Sequence, residues 1–123
     1  MSEEKAPLSI TESDGVRIVE FTDRKILEEL AINQILERLS ELVISEETPK
    51  LLLNFRKVEH LSSAALGILI TLNKQVAECK GQLVLANIHP QIYEVFKITR
   101  LNKLFNIKSG IKQSRVTSQY LKE

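Results

Sequence analysis

The chain has 123 residues, 43% of them hydrophobic and 27% charged, a balance typical of one globular domain. Lysine and arginine together number 17 and the acidic residues 16, which excludes a strong net field that would attract nucleic acid or an anionic membrane. The single cysteine, Cys79, cannot form an internal disulfide, and the longest apolar run, residues 64–70, is too short to cross a bilayer. We therefore expect one cytoplasmic domain over residues 1–123, with its core at about 8–108, that neither binds nucleic acid nor inserts into a membrane.

A β-hairpin and an amphipathic helix are the first predicted elements. Apolar and polar residues alternate in residues 8–11 and roughly in residues 16–21, and Ser13-Asp14-Gly15 between them is typical of a turn. From Glu28 onward, steps of three and four residues predict a helix with a buried face made of Ile32, Ile35, Leu36, Leu39 and Leu42 or Val43. Pro49 prevents that helix from continuing.

Two strongly apolar segments predict buried strands on either side of a second helix. Residues 51–55 are apolar on both faces, which favours a central parallel strand that is covered on both sides. The helix is predicted from about Ser63 to Cys79, and Gly81 is expected to end it. Residues 82–86 then repeat the pattern of a buried strand.

The last part of the chain predicts one more helix and a short strand. Pro90 is expected to begin the helix, and residues 104–107 the strand. Residues 109–123 are mostly polar and are expected to form a weak helix or a tail. Because strand-helix-strand units cross over right-handedly, this order predicts an α/β fold, a mixed β-sheet with a parallel centre flanked by three to four α-helices.

Motifs for catalysis or metal binding are missing from the sequence. His60 and His89 are far apart, and neither has a carboxylate or a cysteine at a spacing typical of a metal site. The serines lack the Gly-x-Ser-x-Gly frame of a hydrolase, and no glycine-rich phosphate-binding loop is present. We therefore expect no catalytic residues, no metal and no cofactor.

The join between the first buried strand and the second helix is the most informative segment. The strand leads through a short loop to Ser62 and Ser63, which begin an apolar helix. One interpretation is a helix N-cap, since a serine oxygen accepts hydrogen bonds from free backbone N–H groups. One serine suffices for a cap, however, and the positive end of a helix dipole also favours an anion such as a phosphoryl group.

The order of elements around this join resembles the STAS domain, and more specifically the bacterial anti-sigma factor antagonists. The resemblance covers about residues 8–108 and is best at the join itself, at residues 81–87 and at residues 90–105. In that family the phosphoacceptor is the first serine of an Asp-Ser-Ser/Thr-Gly-Leu-Gly motif, which matches Ser-Ser-Ala-Ala-Leu-Gly at residues 62–67 here. The resemblance therefore implies that Ser63 is the phosphoacceptor.

The resemblance also implies a set of protein partners. In that family an anti-sigma factor serine kinase, a GHKL-type ATPase, phosphorylates the acceptor, and a PPM-type phosphatase reverses the modification. The unphosphorylated antagonist binds the kinase and frees the sigma factor. The resemblance thus implies a binding protein without catalytic activity of its own.

Several positions of this chain depart from the family's pattern. Ser62 replaces the aspartate before the acceptor, Ala64 replaces the second hydroxyl residue, and Ala65 replaces the first glycine of the motif. Asn54 stands where the preceding strand often ends in aspartate, and Asp23 alone remains of a Gly-x-Leu-Asp segment after the second strand. The changes at Ser62 and Asn54 lower the negative charge around the serine pair. Two consequences are open: recognition by the kinase is altered, or the partner is not the usual kinase.

Three functions follow as hypotheses. The leading one is a cytoplasmic binding protein whose surface combines the helix start with the loops at 56–61 and 87–91. Ser62 is its cap or alternative acceptor, and its expected partner contacts are Asp23, Asn54, Arg56, His60, Ala64 and Ala65. The second is a phosphorylation-independent STAS subunit, structural or adaptor, in a signalling scaffold or beside a transporter. The third is a small enzyme or ligand-binding protein that uses the serines to hold an anion.

Overall fold

The computed structural model describes residues 7–108, in which short strands and helices alternate. The strands are β1 (Leu8–Ser13), β2 (Val16–Phe21), β3 (Lys25–Ile26), β4 (Lys50–Asn54), β5 (His60–Leu61), β6 (Gln82–Ala86) and β7 (Asn106–Lys108). The α-helices are α1 (Glu29–Ile44), α2 (Ser63–Glu78) and α3 (Pro90–Ile98), followed by a 3-10 helix at Leu101–Lys103. The weak helix or tail expected at 109–123 lies outside the described residues and stays a prediction.

Five of the strands form the main sheet, in the order β1-β2-β4-β6-β7. β1 and β2 are antiparallel and form the predicted hairpin, whose turn contains Asp14 and Gly15, both with positive φ. The other neighbouring pairs, β2-β4, β4-β6 and β6-β7, are parallel. The predicted α/β fold, a mixed sheet with a parallel centre, is therefore confirmed.

The three α-helices pack against one face of the sheet. β2, β4, β6 and β7 follow one another across the sheet, so right-handed crossovers between them place α1, α2 and α3 on the same side. The main apolar cluster joins every helix to the strands, through residues that include Ile35, Leu39, Leu69, Leu72, Phe96, Val19, Leu51, Leu53 and Leu85. This cluster is the principal core of the domain.

The opposite face of the sheet carries a second, smaller apolar cluster. It consists of Val16, Ile18, Leu52, Val84 and Ala86, all of them buried. Ile18, Leu52 and Val84 lie side by side in the register of three adjacent strands. Because Leu51 and Leu53 belong to the main cluster, β4 is buried on both faces, which explains its unbroken apolar sequence.

The end of α2 differs from the prediction. Lys80, not Gly81, takes the left-handed conformation, with φ of 57°. The N–H of Lys80 donates to the carbonyl of Ala77 and that of Gly81 to the carbonyl of Val76, the hydrogen bonds of a Schellman motif. Gly81 is needed for a different reason, since a Cβ there would lie 2.2 Å from the carbonyl oxygen of Pro49.

Four short elements were not predicted or were misplaced. β3 and β5 have two residues each and pair with each other, and the 3-10 helix follows α3 directly. The strand expected at 104–107 begins two residues later, because Phe105 turns inward against Phe96 with ring centroids 5.8 Å apart. Within residues 7–108 no helix has the length and apolarity that crossing a membrane requires.

Truncation of Leu52 tests the burial of the central strand. Leu52→Ala should lower the free energy of unfolding by about 2–5 kcal/mol, since the side chain is fully buried and would leave a cavity. Ile44→Ala is the control, because Ile44 is 77% exposed and its loss should change stability little. Urea unfolding measures both, and an equally small effect at the two sites would contradict this packing.

The same substitution at two glycines should act in opposite directions. Gly81→Ala should destabilise the fold by about 1–3 kcal/mol, since the new methyl group meets the backbone of Pro49. Gly67→Ala should stabilise it by up to about 1 kcal/mol, because the position is helical and open to solvent. Thermal unfolding of the two variants checks the signs, and a stabilised Gly81→Ala variant would refute the close approach.

Candidate partner-binding site

Ser62 fixes the start of α2 through three hydrogen bonds. Its side-chain Oγ accepts from the N–H of Ala65 at 3.1 Å, and its carbonyl accepts from the N–H of Leu66 at 3.1 Å. Its own N–H donates to the carbonyl of Ile26 at 3.2 Å, which ties the helix start to β3. Ser62 is therefore the N-cap that the sequence predicted.

Ser63 is the first residue of α2, and its side chain is exposed. The first N–H groups of an α-helix have no partner within the helix and carry its positive partial charge. A negative group on the Ser63 oxygen would therefore lie at the favourable end of a helix of 16 residues. The geometry separates the two hydroxyls, because Ser62 is occupied by the cap and Ser63 faces solvent.

The two-residue strands β3 and β5 hold two loops together next to the helix start. Lys25 pairs with His60 and Ile26 with Leu61 in parallel register. The carbonyl of Arg24 also accepts from the N–H groups of Glu59 and His60, at 2.7 and 3.1 Å. The loop that contains Asp23 is thereby joined to the loop that leads to Ser62.

A buried polar cluster supports the loop after β4. The Oδ1 of Asn54 accepts from the backbone N–H of Arg56 at 3.0 Å and from the Nδ2 of Asn87 at 3.1 Å. The Arg56 guanidinium contacts the carboxylate of Glu20 at 2.9 Å, and Lys57 lies 4.0 Å from the same oxygen. Glu20 is buried, so Arg56 neutralises a charge within the sheet rather than standing free for an external anion.

The structure separates the predicted contact residues into exposed and buried ones. Asp23, Arg56, His60 and Ala64 are exposed, in or beside the loops joined by β3 and β5. Asn54 is 3% exposed and Ala65 is 2% exposed, so both support the surface from below. Asn54 does so through its hydrogen bonds, and Ala65 through its backbone N–H and its place in the core.

An open groove of about 370 Å³ lies beside this helix start. Its apolar wall comes from three regions of the chain and consists of Leu27, Leu61, Leu66, Ile92 and Val95. Lys25, Glu59 and His60 form its charged rim, and Gln91 closes it at the start of α3. Leu27 and Val95 are 49% and 41% exposed, so both present apolar surface to solvent within the same groove.

The sequence pointed to the loops around this groove and to the apolar start of α2, but not to the contributions of Leu27 and α3. Lys25 was missed because two-residue strands have no periodicity, and Ile92 and Val95 were predicted only as part of the helix that begins at Pro90.

Metal ligation finds no support in the part of the chain that the structure describes. Among residues 7–108, no group of three or more His, Cys, Asp or Glu side chains is arranged to bind a metal ion. His60 lies in β5 and His89 precedes α3, and both are exposed. Cys79 is half-buried at the end of α2 and is not part of a disulfide.

Comparison with known families identifies the fold. The family model of the STAS domain matches residues 8–114, which includes the whole sheet, all three helices and the serine pair. This chain belongs to the STAS domain family. The resemblance inferred from the sequence is therefore confirmed at the level of the family.

Individual STAS proteins agree with this assignment. BtrV of Bordetella bronchiseptica, named as a candidate anti-sigma factor antagonist, is 29% identical over 61 residues, which are 50% of this chain and 53% of BtrV. The alignment thus spans about half of that relative. The structure of an anti-sigma-factor antagonist (STAS) domain protein from Planctomyces limnophilus has a TM-score of 0.73 at 20% identity, covering 87% of this chain and 92% of that one.

A further solved relative is the Bacillus cell fate determinant SpoIIAA in its phosphorylated form. It has a TM-score of 0.69 at 14% identity, and the match covers 87% of this chain and 94% of SpoIIAA. At these identities the two solved structures establish the common fold. Which function the fold serves in this chain is a separate inference.

Alanine substitutions at the two serines should have unequal effects on stability. Ser62→Ala should lower the free energy of unfolding by about 1 kcal/mol, because it removes the cap to Ala65. Ser63→Ala should change it by less than about 0.5 kcal/mol, because the side chain is exposed. Chemical denaturation of the pair is the measurement, and a larger loss at Ser63 would mean that the cap is assigned one residue too early.

Proposed function

We propose that this chain is a cytoplasmic anti-sigma factor antagonist that binds an anti-sigma factor serine kinase of the GHKL type. Phosphorylation of Ser63 by that kinase turns binding off, and a PPM-type phosphatase restores it. The observation that carries the proposal is that the two serines at the helix start have different environments. Ser62 is held in the cap, whereas Ser63 is exposed at the first helical position.

Electrostatics support Ser63 as the site of such a switch. A phosphoryl group adds about −1.5 to −2 charges near pH 7 and three acceptor oxygens. The N-terminal N–H groups of α2 stabilise that charge within the chain. A partner packed over the same position would have to remove water from the charged phosphate. This desolvation costs free energy, so the affinity of the partner for the chain falls.

The replacement of aspartate by Ser62 is compatible with this proposal. Aspartate and serine are both strong N-cap residues, and Ser62 makes the cap bond to Ala65 at 3.1 Å. The replacement therefore retains the local helix geometry and removes one negative charge next to the acceptor. A kinase adapted to this chain would recognise a less acidic surface than the family's usual motif presents.

The names of the related proteins give independent support. BtrV is named as a candidate anti-sigma factor antagonist, and SpoIIAA has been solved in a phosphorylated form. The match of the STAS family model to residues 8–114 places the serine pair within the matched part of the chain. Binding without catalysis is the activity that this combination favours.

A phosphorylation-independent adaptor is the second candidate function. It is favoured by the apolar groove beside α2 and by Ala64, which replaces the second hydroxyl residue of the motif. Such a subunit would bind its partner through the same surface whatever the state of Ser63. The two candidates therefore differ in the effect of a charge at that position.

Binding of the purified cognate kinase to charge variants tests the proposal. Ser63→Asp should weaken the affinity about tenfold or more, because a charge is placed inside the interface, whereas Ser63→Ala should bind like the unmodified chain. Thr48→Asp is the control, since Thr48 is exposed in the loop before β4, at the opposite end of the sheet. Calorimetry measures all four proteins, and equal affinity of Ser63→Asp and the unmodified chain would favour the adaptor.

A further inference from the structure

The groove beside α2 combines an apolar wall with a charged rim. Leu27, Leu66 and Val95 contribute to the wall from three separate parts of the chain. Lys25 and His60, paired across β3 and β5, lie on the rim. Adjacent apolar side chains that stay exposed next to a polar rim are typical of a surface that binds another protein.

The two charged residues of the rim differ in their pairing within the part of the chain that the structure describes. Glu59 also lines the groove, but its carboxylate is paired with Arg24 at 3.3 Å. Among residues 7–108, neither Lys25 nor His60 has an ion-pair partner. Lys25 therefore leaves one uncompensated positive charge at the mouth of an apolar groove, and a carboxylate is its natural complement.

We propose that this groove binds an apolar segment of the anti-sigma factor kinase that is flanked by carboxylates. The apolar side chains of that segment lie against Leu27, Leu66 and Val95, and a flanking carboxylate pairs with Lys25. The inference rests on the proposed function, because it names the chemistry of the partner at the same site. It goes further in assigning binding energy to Lys25 and to the α3 face, in addition to the serine pair.

Ser63 lies close along the chain to residues of the groove, so its phosphorylation would affect binding there. Ser63 lies three residues after His60 and one helical turn before Leu66, and both of those residues line the groove. A phosphoryl group there adds negative charge beside the rim that receives the partner's carboxylate. Phosphate and carboxylate then compete for the same positive surface, in addition to the direct repulsion between them.

Two exposed residues and two matched controls test the docking surface. Lys25→Glu should weaken binding of the cognate kinase about five- to tenfold at low salt and less at high salt, because the charge pair is screened. The control Lys80→Glu makes the same charge change at the far end of α2 and should bind normally. Val95→Ala should weaken binding about fivefold, whereas Ile98→Ala, which is 78% exposed on the same helix but outside the groove, should not.

The outcomes separate this inference from the proposed function. Losses at Lys25 and Val95 with unchanged controls would support the docking surface. Normal binding by both variants, while the unmodified chain binds the kinase, would overturn it and leave the antagonist function intact. No binding by the unmodified chain would contradict both proposals. A dimer of the chain alone that Val95→Ala dissociates in sedimentation would also overturn it, because the groove would then hold a second copy.

Discussion

The three hydrogen bonds at Ser62 are the constraint on which the site depends. One bond joins the helix start to β3, and the other two begin the helix by using the Oγ and carbonyl oxygen of the same residue. The bond to Ile26 extends the β3–β5 pairing up to the helix start, so that α2 begins directly beside the two loops that this pairing joins. Without the cap, the first turn of α2 would fray and Ser63 would lose its fixed position. Because the Ser62 hydroxyl is used by the cap, the exposed Ser63 carries the hydroxyl that is available for modification.

The positively charged side chains around this helix start have two different roles, support of the fold and recognition of a partner. Arg56, which the sequence suggested as a partner contact, pairs with the buried carboxylate of Glu20 and so stabilises the loop after β4. Lys25, which the sequence did not suggest, remains without an ion pair among the described residues and lines the groove. A structural role also applies at the end of β4, where Asn54 uses its amide oxygen as a buried hydrogen-bond acceptor. An amide suffices for that role, which is why the aspartate common at this position is not required for the fold.

The sequence predicted those helices and strands that are long enough to show a hydrophobic period. The two-faced apolar pattern of residues 51–55 placed β4 in the middle of the sheet, and the serine pair correctly marked the start of α2. The errors have local physical causes. Lys80 takes the left-handed position of the Schellman motif while Gly81 passes close to Pro49, and β3 and β5 are too short for any alternation to be visible. The groove was not predictable, because its wall is assembled from Leu27, α2 and α3, which only the tertiary fold brings together.

The most direct measurement is the intact mass of the purified chain after incubation with ATP and its cognate kinase, followed by mapping of the modified peptide. The account predicts the addition of one phosphoryl group on Ser63 and none on the Ser63→Ala variant. Modification of Ser62 would contradict the assignment of the cap, since that hydroxyl is bound to Ala65 in the folded chain. A stable complex with the kinase and no modification at all would contradict the switch and favour an adaptor that works without phosphorylation.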